Sequence, residues 1–190
     1  MSGTTSQLST ANHLPVRPKP AITSGYVPLG AMVVRKPIAD WVRDKMFAGG
    51  LTYSGHPLAC ASGVASIEAF QEEGIVENAA VMGDVFRSEL ARLQEKHPSI
   101  GEVRGLGCFW GLELVKNRET REPLVPFNGS GEAAKPIAAV MKRALDSGLY
   151  LMTHWNVVMC CPPLTITRDE LDEAIEVLDD ALSVADEFCT

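Results

Sequence analysis

From Ile75 onward apolar residues recur at helical spacing. Ile75, Ala79, Met82, Phe86, Leu90 and Leu93 step by three and four, so they share one face of a long amphipathic helix. That helix is expected to stop near His97-Pro98, because a residue before proline is pushed out of the helical region. The same spacing returns at Leu171, Ile175, Leu178 and Leu182, directly after Thr167-Arg168-Asp169-Glu170, a capping box. A third helix spans about 132–147 and ends at Gly148, a suitable C′ glycine. Between these helices the period changes. "GEVRG" (101–105) and "FWGLELV" (109–115) have strand character, with a turn at Gly107-Cys108. "LYLMTHWNVVMCCPPL" (149–164) predicts two more strands around a turn at His154 to Asn156, and "KNRETREPLVPFNGSG" (116–131) is a polar loop. The order helix, strand, strand, helix, strand, strand, helix predicts an α/β (α+β) module, a sheet covered by helices.

Upstream the pattern is weaker. "VPLGAMVV" (27–34) is a short apolar run bounded by turn residues, which predicts a buried strand. In "KPIADWVRDK" (36–45) Pro37 sits where a helix starts, and Ile38, Trp41 and Val42 share a face. "GGLTYSGHPLACASGVASIEAF" (49–70) opens on a flexible glycine pair and becomes a small-residue helix from about Pro57. Residues 1–20 are polar, rich in Ser, Thr and Pro and without periodicity, and are expected to form a disordered leader.

Composition narrows the function classes. The net charge of −7 (24 acids, 17 bases) and the lack of a Lys/Arg cluster exclude a basic nucleic-acid surface. Apolar runs stop well short of a membrane span, and the N-terminus has no charged and apolar signal pattern. Five scattered cysteines suit reduced thiols and a cytoplasmic location. Cys160 and Cys161 are adjacent in a strand-like run, point to opposite faces and are not expected to share a metal.

Four features carry candidate chemistry. "RGLGCFWG" (104–111) misses dinucleotide-binding spacing and predicts a turn between strands. His56, before Pro57 at a helix start, suits a neutral hydrogen-bonding role, since helix N-termini favour anions. His154 lies in a polar tip between apolar strands, where binding and plain turn chemistry are both open readings. "GGLTYSGHP" delivers the hydroxyls of Thr52 and Ser54 to a helix start. Phosphate binding and ordinary N-capping both remain open there.

Taken together, "ITSGYVPLGAMVV" (22–34), "TYSGHPLACA" (52–61), "EVRGLGCFWGLELV" (102–115) and "PPLTIT" (162–167) are similar to the C-terminal part of the class III (ω-amino acid type) aminotransferases. These are fold-type I enzymes that use pyridoxal 5′-phosphate. The resemblance implies that about 21–75 is the end of the large cofactor-binding domain and 76–190 the small C-terminal domain. It also implies a homodimer with small-molecule amine and 2-oxo acid substrates, in which Thr52 binds the cofactor phosphate of the neighbouring subunit. The family's Schiff-base lysine precedes the glycine of a K-G-I-T-S-G-Y run. Here that position is Pro20, and Lys19, the catalytic candidate, stands one residue early. A one-residue slip in an extended chain turns a side chain to the opposite face. Many relatives carry a carboxylate-binding arginine ten residues before the Pro-Pro pair, where this chain has Met152; His154 and Asn156 are the substrate-facing candidates instead. The expectation is a truncated aminotransferase that is inactive alone, with its N-terminal half missing or supplied by another chain. The alternative is a non-catalytic interaction module.

Overall fold

The computed structural model describes residues 22–46 and 49–190, together with the backbone of Val16–Lys19. The chain divides into two compact units, one up to Glu73 and one from Gly74 to Thr190.

In the first unit, strand β1 (Val16–Lys19) pairs antiparallel with β2 (Ala31–Val34), Val16 opposite Val34 and Lys19 opposite Ala31. The leader reading therefore fails over these four residues; the rest of 1–20 lies outside the described residues. The connection is pinned by Ile22–Gly25. Thr23 is buried, its hydroxyl donates to the Val27 carbonyl, and its carbonyl accepts from Tyr26 N (3.1 Å). Ser24 and Gly25 have φ of 51° and 85°, the left-handed conformation that a Ser-Gly pair accommodates at a turn. Helix α1 (Lys36–Val42) follows, then α2 (Pro57–Glu72). One expectation fails here. β2 is not buried: Met32 and Val33 are 69% and 54% exposed. Trp41 faces solvent at 66% exposure, with the Lys45 ammonium 3.3 Å from its ring centre. Apolar runs alone cannot say whether a covering layer exists.

The second unit follows the periodicity closely. Helix α3 (Ile75–Lys96) buries Ile75, Met82, Phe86, Leu90 and Leu93. Strands β3 (Ile100–Leu106) and β4 (Phe109–Asn117) form a hairpin whose turn is Gly107-Cys108, with Gly107 at φ 57°. The sheet continues through β7 (Val157–Cys160) to β6 (Met152–His154) in the order β3-β4-β7-β6. α3 crosses close over the hairpin turn: a Cβ at Gly83 would lie 2.7 Å from Gly107 Cα. The 116–131 segment is more than a polar loop. Its two-residue strand β5 (Glu122–Pro123) pairs with β4, and the following Leu124 and Val125 enter the core. Between Pro123 and Pro126, that pair is too short to show a period.

A 3₁₀ turn at Gly131–Ala134 leads into α4 (Lys135–Asp146), and Gly148 at φ 88° closes the helix as expected. Helix α5 (Arg168–Asp186) begins with the predicted capping box and buries Leu171, Ile175, Leu178 and Leu182. Leu90, Leu93, Ile100, Leu112, Val158 and Leu171 are fully buried between helices and sheet. Each contributes about 1.5–3 kcal/mol by leaving water. Cys160 is buried and Cys161 exposed, so the pair does alternate. Burial, reinforced by the neighbouring Cys161 thiol, pushes the Cys160 thiol up to about 12, which leaves it an inert core residue.

Candidate functional site

In the first unit the candidate groups collect around the start of α2. Thr52–Gly55 form a turn in which Ser54 N donates to Leu51 O (3.0 Å) and His56 N to Tyr53 O (3.2 Å). Gly55 takes φ 70°, bringing the chain round to Pro57 in the first turn of the helix. His56 is the N-cap residue, and no side chain caps the helix; its carbonyl accepts Cys60 N at 2.9 Å. The imidazole instead lies near the Tyr53 ring, centroids 5.7 Å apart. Neither Thr52 nor Ser54 acts as an ordinary N-cap, and both are exposed. Free amide donors, the positive end of α2 and the Thr52 hydroxyl make this a place where an anion is favoured.

The turn at Ile22–Gly25 is docked on the same helix. Ser24 Oγ lies 3.2 Å from Ser66 Oγ. A side chain at Gly63 would meet Leu29 and Ile22, so the glycine permits that segment to approach α2. Ser66 escaped the sequence reading; the only signal was its place among the small residues of α2. Lys19 ends β1 opposite Ala31, whereas Pro20, at the Schiff-base position, lies outside the described residues.

In the second unit His154 and Asn156 flank Trp155 at the β6–β7 turn. His154 is exposed and its ring lies against Trp155, centroids 3.9 Å apart. Trp155 has φ 52° and packs against Phe127 at 4.3 Å. Asn156 has structural work. Its side-chain amide donates to Leu114 O (3.1 Å) and its carbonyl accepts Leu114 N (2.7 Å), prolonging the β4–β7 pairing. A cavity of about 360 Å³ lies elsewhere in this unit. Its floor includes Phe86, Leu171, Ile175 and Leu178, its rim Tyr150 and Met152, and no charged side chain is among the described residues lining it. Met152 therefore borders the cavity, while His154 and Asn156 do not.

Comparison with known proteins agrees with the motifs. The family model "Aminotransferase class-III" matches residues 16–182. The chain is 34% identical over 170 residues to the adenosylmethionine-8-amino-7-oxononanoate aminotransferase of Methanocaldococcus jannaschii, covering 87% of this chain and 35% of that protein. It is 32% identical over 172 residues to the mitochondrial gamma-aminobutyrate transaminase 1 of Oryza sativa subsp. indica, covering 88% and 32%. Among solved structures, the taurine:2-oxoglutarate aminotransferase of Bifidobacterium kashiwanohense, in complex with PLP and glutamate, superposes with a TM-score of 0.82 at 37% identity. That match covers 91% of this chain and 38% of that one. An S-selective transaminase from Arthrobacter sp. with alanine bound also gives 0.82, at 30% identity, covering 92% and 39%. The chain thus spans about a third of the length of the curated relatives it matches.

Proposed function

This chain belongs to the class III aminotransferases, fold-type I enzymes that use pyridoxal phosphate, and we propose that its residues supply part of such an active site. In this reading it serves amino-group transfer from an ω-amino compound to a 2-oxo acid in a reducing cytoplasm. The observation that carries the proposal is the exposed Thr52 hydroxyl beside the α2 N-terminus, which no side chain caps. The cofactor, when bound, supplies the carbonyl that takes up the amino group and a ring that withdraws electrons.

The residues fit that group at one end only. Thr52 and the amides at the head of α2 suit its phosphate, with Ser54 in the same turn. At the other end the attachment position is Pro20, which has no amine, and Lys19 falls one place short in an extended strand. Lys19 is therefore not assigned the attachment role, and the 190 residues alone are expected to lack turnover. His154, exposed at a hairpin tip, remains a substrate-contact candidate. Asn156, through its side-chain amide, orders the sheet edge on which that tip is built.

The working unit in this reading is a homodimer, or a complex with a chain supplying the rest of the catalytic architecture. The exposed Leu51, Tyr53, Leu58, Val64 and Ile67 around α2 support such an association. The same surface favours the second reading, a non-catalytic interaction module.

Titration of the purified chain with pyridoxal phosphate, borohydride reduction and peptide mapping tests the proposal. The expected result is weak binding that Thr52→Ala weakens further, with no single lysine labelled. Saturable labelling confined to Lys19 would restore that lysine as the catalytic residue. Binding indifferent to Thr52→Ala would remove the phosphate role and leave the interaction module.

A further inference from the structure

The buried His97 and the half-buried Asp179 and Asp186 form a cluster that the aminotransferase reading leaves unused. His97 is 1% exposed and caps α3, its N–H donating to Leu93 O at 2.8 Å. Its Nδ1 lies 2.7 Å from Asp186 Oδ2 and its Nε2 2.7 Å from Asp179 Oδ1. A neutral imidazole carries one ring proton, so one of these contacts would set a nitrogen lone pair against a carboxylate oxygen. Both contacts are hydrogen bonds only when both nitrogens donate.

We propose that His97 is a doubly protonated cation bridging Asp179 and Asp186, and that the bridge is a pH-sensitive latch holding the C-terminal half of α5 to the end of α3. The surroundings favour an ionised Asp179. Burial opposes the charge on Asp179, but hydrogen bonds from Lys96 and His97 outweigh it and hold its carboxyl below the usual range. Arg92 of α3 stands 3.6 Å from Asp179 and is shared with Glu89. The second oxygen of Asp186 accepts Ser99 N at 3.2 Å, tying the latch to the chain entering β3. Arg118, beyond β4, donates to the carbonyls of Gln94, His97 and Ile100, fixing the backbone that carries the imidazole. The thiol of Cys189, after α5, also lies in the field of Asp186 and Arg118.

The latch loosens in acid. Asp179 titrates below its unfolded value, so its contribution is complete above the ordinary carboxylate range and is lost as pH falls through that range and below it.

Nitrogen-15 spectra of the full chain at neutral pH, correlating ring nitrogens with ring protons, test this directly. The expected spectrum shows His97 protonated at both Nδ1 and Nε2. A single ring proton would overturn the proposal, and this measurement needs no variant. In Asp186→Asn, hydrogen exchange at Ser99 and in the last two turns of α5 should speed up roughly 100-fold, less than for a fully buried charge pair because the Asp186 side chain is 24% exposed. Unchanged exchange in that variant would show that the contact is not a latch.

Discussion

The two units of this chain use apolar residues in opposite ways. From Gly74 onward, α3, α4, α5 and the sheet close over a continuous core in which Leu90, Leu112 and Leu182 lose all contact with solvent. Up to Glu73, the described residues that are buried are Thr23, Ala59 and Gly63, while Tyr26, Trp41, Tyr53 and Ile67 are more than half exposed. Both stretches are rich in apolar residues. What separates them is periodicity. α3, α4 and α5 gather most of their apolar side chains on one buried stripe, with Val76, Val81 and Leu145 outside it, whereas α2 pairs small residues with Leu58, Val64 and Ile67, all more than half exposed. A one-sided stripe is completed by layers from its own unit; an apolar surface without one is built for contact with something else.

The largest effect should come from separating the units. A polypeptide of residues 74–190 is expected to melt in one cooperative transition by circular dichroism, close to that of the full chain. A polypeptide of residues 1–73 should show none. A cooperative transition from the shorter piece would break the comparison, because the exposed residues would then not prevent autonomous folding.

Next in size are single core deletions. Leu112→Ala, buried in the sheet, should cost about 2–5 kcal/mol in chemical denaturation, from lost transfer energy and a residual cavity. Ile67→Ala on α2 should change stability by less than about 0.5 kcal/mol, since it removes an exposed side chain. Equal losses would mean that α2 is packed in solution.

The same contrast explains how much could be read beforehand. The three long helices, the Gly107 turn, the Gly148 stop and the capping box were legible because each depends on local spacing or local backbone chemistry. The exposure of β2 is not legible in its sequence because burial needs a covering layer, and an apolar run carries no information about one. Leu124 and Val125 were missed because two apolar residues are too short a sample for any period. At the candidate site, the Thr52 turn was visible in its glycine and hydroxyl residues. The role of Asn156 was not, since the Leu114 backbone it binds is 42 residues away.

Glycine substitutions sharpen the comparison on a smaller scale. Alanine normally stabilises a helix relative to glycine by up to about 1 kcal/mol. At Gly83 the new Cβ would strike the Gly107 backbone at 2.7 Å, which cannot retreat without moving the hairpin. Gly83→Ala should therefore cost about 1–3 kcal/mol, as overpacking does. At Gly63 the nearest atom, at 2.9 Å, is the end of the Leu29 side chain, which can rotate away. Gly63→Ala should be close to neutral by the same denaturation measurement, and a loss there as large as at Gly83 would show a rigid contact in the first unit.

The smallest effect concerns how the starts of α5 and α2 differ. At α5, Thr167 Oγ1 accepts from Glu170 N, and Glu170 accepts from Thr167 N at 2.8 Å. At α2, His56 provides no side-chain cap. Thr167→Ala should cost about 1 kcal/mol, whereas His56→Ala should cost little through helix capping. The difference should also depend on pH. Hydrogen bonds from the Thr167 backbone, then from its hydroxyl, hold the Glu170 carboxyl below its usual range despite a small opposing desolvation. A carboxyl lowered in the folded state contributes stability that is complete above its unfolded value and vanishes as pH falls through the folded one. The penalty of Thr167→Ala, measured by denaturation across a pH series, should accordingly be full at neutral pH and shrink in acid. A penalty constant down to strongly acidic pH would mean that the hydroxyl caps α5 by itself, without the reciprocal carboxylate.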